Sequence, residues 1–174
     1  MTLRLILIRH GKSSWDDPFA PDHDRVLNTR GCASAKAIGV WMRDRGYAPD
    51  TVLCSDAIRT RETAALILPA FVPAPKLQLS ARLYQAEPET ILDRIRREKP
   101  GTLAVIGHNP GIGQAAELLV GAAPDHPRFS DYPTCATTVI DFDILRWADL
   151  KPGTGNCVDF TVPRDLIGAT GVPG

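Results

Sequence analysis

The sequence predicts a three-layer α/β/α sandwich with a mainly parallel central sheet and an antiparallel edge. Two observations carry this. Apolar runs without helical spacing, at residues 3–8, 51–54 and 103–106, read as strands covered on both faces, and stretches of helical spacing lie between them. Alternation at residues 136–142 and 157–162 then reads as two further strands, an antiparallel pair around a turn at 151–155. No internal repeat, low-complexity tract or linker interrupts the chain, so residues 1–174 are expected to form a single domain.

The elements follow in order. Residues 3–8 are nearly continuous apolar and stop abruptly at Arg9-His10-Gly11. Residues 13–24 hold two prolines and four aspartates and read as an exposed loop. Thr29 offers an N-cap for a helix to Arg45, with Ala33, Ala37, Val40 and Trp41 on one face and Gly46 closing it. The strand at 51–54 leads into a helix over about 56–68, stopped by Pro69. A short strand at 77–79 follows a proline-rich stretch. A helix over 88–98 then has Pro88 at its first position and Ile91, Leu92 and Ile95 at helical spacing. Lys99-Pro100-Gly101 turns the chain into the strand at 103–106, and a helix over 111–120 ends at Gly121.

Composition narrows the functional classes. Twenty basic and twenty acidic residues cancel, so no global field favours nucleic acid or an anionic membrane, and neither is expected as a partner. Four cysteines without CxxC spacing read as buried thiols of a reducing, cytoplasmic environment. The N-terminal apolar run is too short for a signal or membrane segment. His23 and His126 lie in polar, proline-containing loops with no partner at metal-ligand spacing, so neither metal nor cofactor is expected. Trp41 and Trp147 read as packing residues, while Trp15 is placed to line a pocket mouth.

Chemistry concentrates at three strand ends. In open α/β sheets, ligands sit outside the carboxyl ends of the strands. Arg9-His10-Gly11 ends the first strand, Ser55 and then Arg59 follow the second, and Gly107-His108-Asn109-Pro110-Gly111 follows a third. A neutral imidazole attacks phosphorus well, and arginine offers a planar fork matched to phosphate oxygens. Gly11 would let the chain turn and a phosphate approach the backbone. Ser55, Arg59 and Thr63 recur at spacings that place them on one helix face. Backbone N–H groups at the helix start after Asn109 could add to an anion site. Each piece alone is commonplace, but together they describe a phosphate site with a built-in nucleophile. The glycine-rich GHNPGIG stretch lacks the Lys-[Ser/Thr] of a P-loop, so it does not read as a nucleotide site.

Leu7-Ile8-Arg9-His10-Gly11-Lys12-Ser13-Ser14-Trp15 resembles the signature of the histidine phosphatase superfamily, with its phosphoglycerate-mutase-like fold. The segment from Ser55 to Ala64 resembles that family's second motif, and Gly107-His108-Asn109-Pro110 its third. The RHGKSSW form, the short chain and Leu83-Tyr84-Gln85-Ala86 are most similar to the SixA-type phosphohistidine phosphatases. The resemblance implies that His10 becomes phosphorylated, while Arg9, Arg59, His108 and Asn109 hold the phosphoryl group. It also implies a phosphohistidine-bearing protein as substrate, with a small phosphate ester as the alternative and non-catalytic phosphate binding as a third reading. Many relatives carry a glutamate acid where this chain has Gln85. Asp16 and Glu87 are the nearby carboxylates that could replace it, although Asp16 reads equally well as a solvated loop residue. Neither interval between the motifs has room for a cap domain, so the pocket is expected to open onto the surface.

Overall fold

The computed structural model describes residues 2–168. Strands β1 (Leu3–Arg9), β2 (Thr51–Ser55), β3 (Lys76–Ser80) and β4 (Leu103–Gly107) are parallel, while β5 (Thr137–Phe142) and β6 (Asn156–Thr161) continue the sheet in antiparallel pairings. The order is β3-β2-β4-β1-β5-β6, which puts β1 inside the sheet between β4 and β5. The described residues also form five α-helices, α1 (Thr29–Arg45), α2 (Ile58–Ile67), α3 (Pro88–Ile95), α4 (Gly111–Leu119) and α5 (Pro163–Ile167), and four short 3-10 turns.

The unbroken apolar run of β1 is explained by a helical layer on each side. Leu3, Leu5 and Leu7 pack with Ile91, Leu92 and Ile95 of α3 and Ile112, Ala115 and Leu119 of α4. Ile6 and Ile8 point the other way, into Ala35, Ile38 and Met42 of α1 and Ala64 and Ile67 of α2. Leu5, Ile6, Leu7 and Ile8 are all essentially buried. At roughly 1.5–3 kcal/mol per buried large aliphatic side chain, this strand is a principal anchor of the fold. No helix of the described residues is long and apolar enough to cross a membrane.

Several boundaries differ from the sequence expectation. Asn28, not Thr29, caps α1, because its Oδ1 accepts the Gly31 N–H at 2.8 Å. The buried face of α1 runs through Ser34, Ala35, Ile38 and Met42, and Val40 is exposed. Gly46 closes the helix in the left-handed region, at φ 76°. Ser55 ends β2 and does not lie on α2, which starts only at Ile58. The antiparallel edge is as expected: β5 and β6 close one side of the sheet, with β6 outermost.

Candidate active site

Strands β2, β4 and β1 are neighbours, so their carboxyl ends bring the three sequence motifs side by side. A cleft of about 240 Å³ opens at this edge, and Arg9, His10, Arg59 and His108 all line it. His10 lies one residue beyond β1, where its N–H donates to Gly107 O and its carbonyl accepts from the Cys135 N–H, both at 3.0 Å. Its backbone is therefore pinned from two sides.

The ring of His10 is oriented as firmly. Nδ1 lies 2.7 Å from the Gly11 carbonyl, which can only accept, so Nδ1 carries the proton and Nε2 the lone pair. Nε2 faces the Arg59 Nε–H at 3.4 Å. Burial pushes the His10 pKa down to about 3; the Gly11 bond opposes this, and His108, Arg59 and Arg9 reinforce it. His10 is thus a neutral base throughout the physiological range. The Hε1 resonance of His10 is accordingly expected to keep its neutral-imidazole shift from about pH 8 down to about pH 4.5. A titration midpoint near the ordinary histidine value would contradict this geometry.

His108 follows β4, with its ring 5.2 Å from that of His10. Its Nε2 is 2.7 Å from Ser55 Oγ, which accepts in turn from the Ala57 N–H at 3.3 Å. That contact engages Nε2 and leaves Nδ1 as the free ring nitrogen. Burial, followed by the charge of Arg59, lowers the His108 pKa to about 4. His108 Nδ1 and Arg9 Nε are both buried without a hydrogen-bond partner. Two unpaired polar atoms in one buried cluster are costly. Burial also lowers the pKa of Arg9, whose Nη1 donates to Tyr132 O at 3.1 Å.

Arg59 lies in the first turn of α2 and is 3% exposed. Its Nη1 donates to the Asp22 carbonyl at 2.6 Å, and its Nη2 to Asp22 Oδ2 at 3.0 Å. Asp22 Oδ2 also accepts from the Tyr84 hydroxyl and from Gln85 Nε2, the latter at 3.3 Å. The Tyr84 bond, together with the Arg59 bond and charge, holds the Asp22 pKa down at about 2. Arg25 lies over the Trp15 ring at 3.4 Å, donates to Ser13 Oγ at 2.6 Å and joins the cleft wall.

Some expected contributions are placed elsewhere. Asp16 and Glu87 are exposed and do not line the cleft; Asp16 turns its N–H onto Ser14 Oγ, and Glu87 precedes the first turn of α3. Asn109 does line it, but its amide is committed to backbone: Oδ1 accepts from the Gly113 N–H, and Nδ2 donates to Tyr132 O and Asp131 O. Asn109 therefore braces the loop, and its side chain has no N–H left for a phosphate. The Ile112 and Gly113 N–H groups of α4 are likewise taken, by His108 O and Asn109 Oδ1. Gly11 serves packing, since a Cβ there would meet Gly31 O at 2.9 Å. Thr63 shares the site by accepting the Gly11 N–H at 3.0 Å. Asp22 and Tyr84 are the residues that sequence reasoning missed. Asp22 is 37 positions from Arg59, and its only local signal is an acid-rich loop. Among the described residues, no group of His, Cys, Asp and Glu is arranged to hold a metal ion.

Comparison with known proteins bears on the same residues. A family model described as histidine phosphatase superfamily (branch 1) matches residues 5–84. An uncharacterised protein of Mycobacterium tuberculosis is 38% identical over 164 residues, spanning 90% of this chain and 100% of its own length. The crystal structure of a candidate phosphohistidine phosphatase SixA from Agrobacterium tumefaciens is similar at TM-score 0.77 and 29% identity, covering 92% of this chain and 98% of that one. The protein histidine phosphatase SixA complexed with tungstate shares the fold at TM-score 0.77 and 20% identity, over 94% and 99% of the two chains.

Proposed function

This chain belongs to the histidine phosphatase superfamily, and from that premise we propose that it hydrolyses phosphohistidine on a partner protein through a covalent intermediate at His10. One observation carries the reading: a buried, neutral His10 presents the lone pair of Nε2 beside Arg59 Nε at the floor of the cleft.

In the first step the Nε2 lone pair forms a bond to phosphorus while the phosphorus–nitrogen bond of the substrate breaks. The departing electron pair stays on the substrate imidazole, which solvent has already protonated. In the second step a water oxygen bonds to phosphorus, the bond to Nε2 breaks, and the electron pair returns to His10. The water proton leaves with phosphate or solvent. Arg9, Arg59 and the His108 ring line the cleft to meet charge on the equatorial oxygens.

The absent acid favours this substrate. Gln85 lines the cleft but cannot release a proton, and Asp22 is held ionised. An alkoxide leaving group would need such an acid, whereas a protonated imidazole does not. Cleft size points the same way. At about 240 Å³ the cleft is smaller than the roughly 300–1,000 Å³ usual for a small-molecule pocket, so it suits a phosphoryl group whose carrier stays outside.

The test is a panel of a phosphohistidine protein, phosphoramidate and common phosphate esters. Expected is a kcat/KM for the phosphohistidine protein at least about tenfold above any small ester, equivalent to about 1.4 kcal/mol of transition-state binding. Equal or faster turnover of a small ester would overturn the assignment.

A further inference from the structure

We propose that Asp22 is a positioning residue that holds the Nη1–Nη2 edge of Arg59 from behind, so that the Nε side of the guanidinium faces His10. The inference deepens the phosphoryl-transfer reading and rests on it. Asp22 grips Arg59 with two acceptors at once, its own carbonyl on Nη1 at 2.6 Å and Oδ2 on Nη2 at 3.0 Å. Two contacts on one rigid planar group fix its orientation as well as its place. With that edge taken, the Nε–H points at His10 Nε2 at 3.4 Å.

Asp22 is itself braced. Tyr84 and Gln85 donate to Oδ2, and Arg25 Nη1 lies 3.6 Å from Oδ1. The Tyr84-Gln85 segment thus serves to seat a carboxylate from another loop.

Closing that loop does not require Asp22. The loop base is already zipped by the Ser13–Leu27 bridge and by the Ser14 N–H to Val26 O bond. Leu27 N–H then ties it to Glu62 Oε1 of α2 at 2.8 Å, and His23 Nε2 ties it to Asp56 Oδ1 at 3.0 Å. What Asp22 adds to these contacts is the setting of Arg59.

The test is a double-mutant cycle of Asp22→Ala and Arg59→Ala, read as kcat and KM. Asp22→Ala is expected to lower kcat by roughly 10- to 100-fold with KM changed less than about threefold, the scale of a misplaced catalytic group. In the Arg59→Ala background the same substitution should change kcat less than about twofold, because the group it positions is gone. Asp22→Asn, which keeps an acceptor, should recover part of the loss. Tyr84→Phe, which loosens only the brace, should lower kcat by a few-fold and serves if Asp22→Ala does not fold. An undiminished kcat in Asp22→Ala, or an equal loss in both backgrounds, would overturn the inference and leave the phosphoryl-transfer reading standing. Full activity in Arg59→Ala alone would overturn both.

Discussion

His10→Ala is expected to lower turnover by on the order of 10⁴-fold or more, the scale seen when a covalent nucleophile is removed. No neighbour can take over. His108 lies close, but its Nε2 is engaged by Ser55 and its Nδ1 is buried. Cys54 and Cys135 are buried, and burial pushes each thiol up to about 12, so neither offers a thiolate near neutrality. The loss should fall on kcat while the fold survives, because the strand leading to His10 is anchored by Leu5 to Ile8 on both sheet faces. Turnover of a phosphohistidine substrate by His10→Ala within about tenfold of wild type would refute a covalent role.

Arg59→Ala is the second large effect, at roughly 10²- to 10³-fold in kcat, the usual consequence of losing one preorganised transition-state donor. Arg59 is 3% exposed and its Nε–H is directed at His10 Nε2, so water cannot reproduce its placement. Arg59→Lys should recover little, since an ammonium cannot satisfy the two Asp22 acceptors and still face His10. Because the cations come from arginine side chains, treatment with EDTA should leave the rate unchanged. An absolute requirement for added Mg²⁺ or Zn²⁺ would show that the charge balance of this site has been misjudged.

The residues legible in the sequence are those that sit on regular elements. Arg9, His10 and His108 are found because each follows an unbroken apolar run, and burial on both faces makes such runs conspicuous. Arg59 follows from the second run and a helical pattern after it. Asp22 and Tyr84 are not legible in that way. Asp22 opens a short 3-10 turn and Tyr84 follows another, and their contacts, 37 and 62 positions apart, leave no periodic trace. Asn109 shows the opposite error. Its neighbourhood to His108 suggested a ligand, yet its amide is consumed by Gly113, Tyr132 and Asp131, a commitment visible only once the loop is folded. The buried face of α1 departs from the helical-spacing expectation because the helix packs against both the sheet and α2, which buries Ser34, Gly39 and Met42 in place of Ala33 and Val40.

The claim at the centre of this account is a phosphoryl group carried on Nε2 of His10. Rapid quench of wild-type protein with ³²P-labelled phosphohistidine protein, followed by digestion and mass spectrometry, tests it directly. The account predicts a phosphoenzyme that is acid-labile and base-stable, that forms and decays fast enough for turnover, and that maps to His10 at Nε2. Label on a serine, cysteine or carboxylate, or steady turnover with no phosphoenzyme at any quench time, would contradict it.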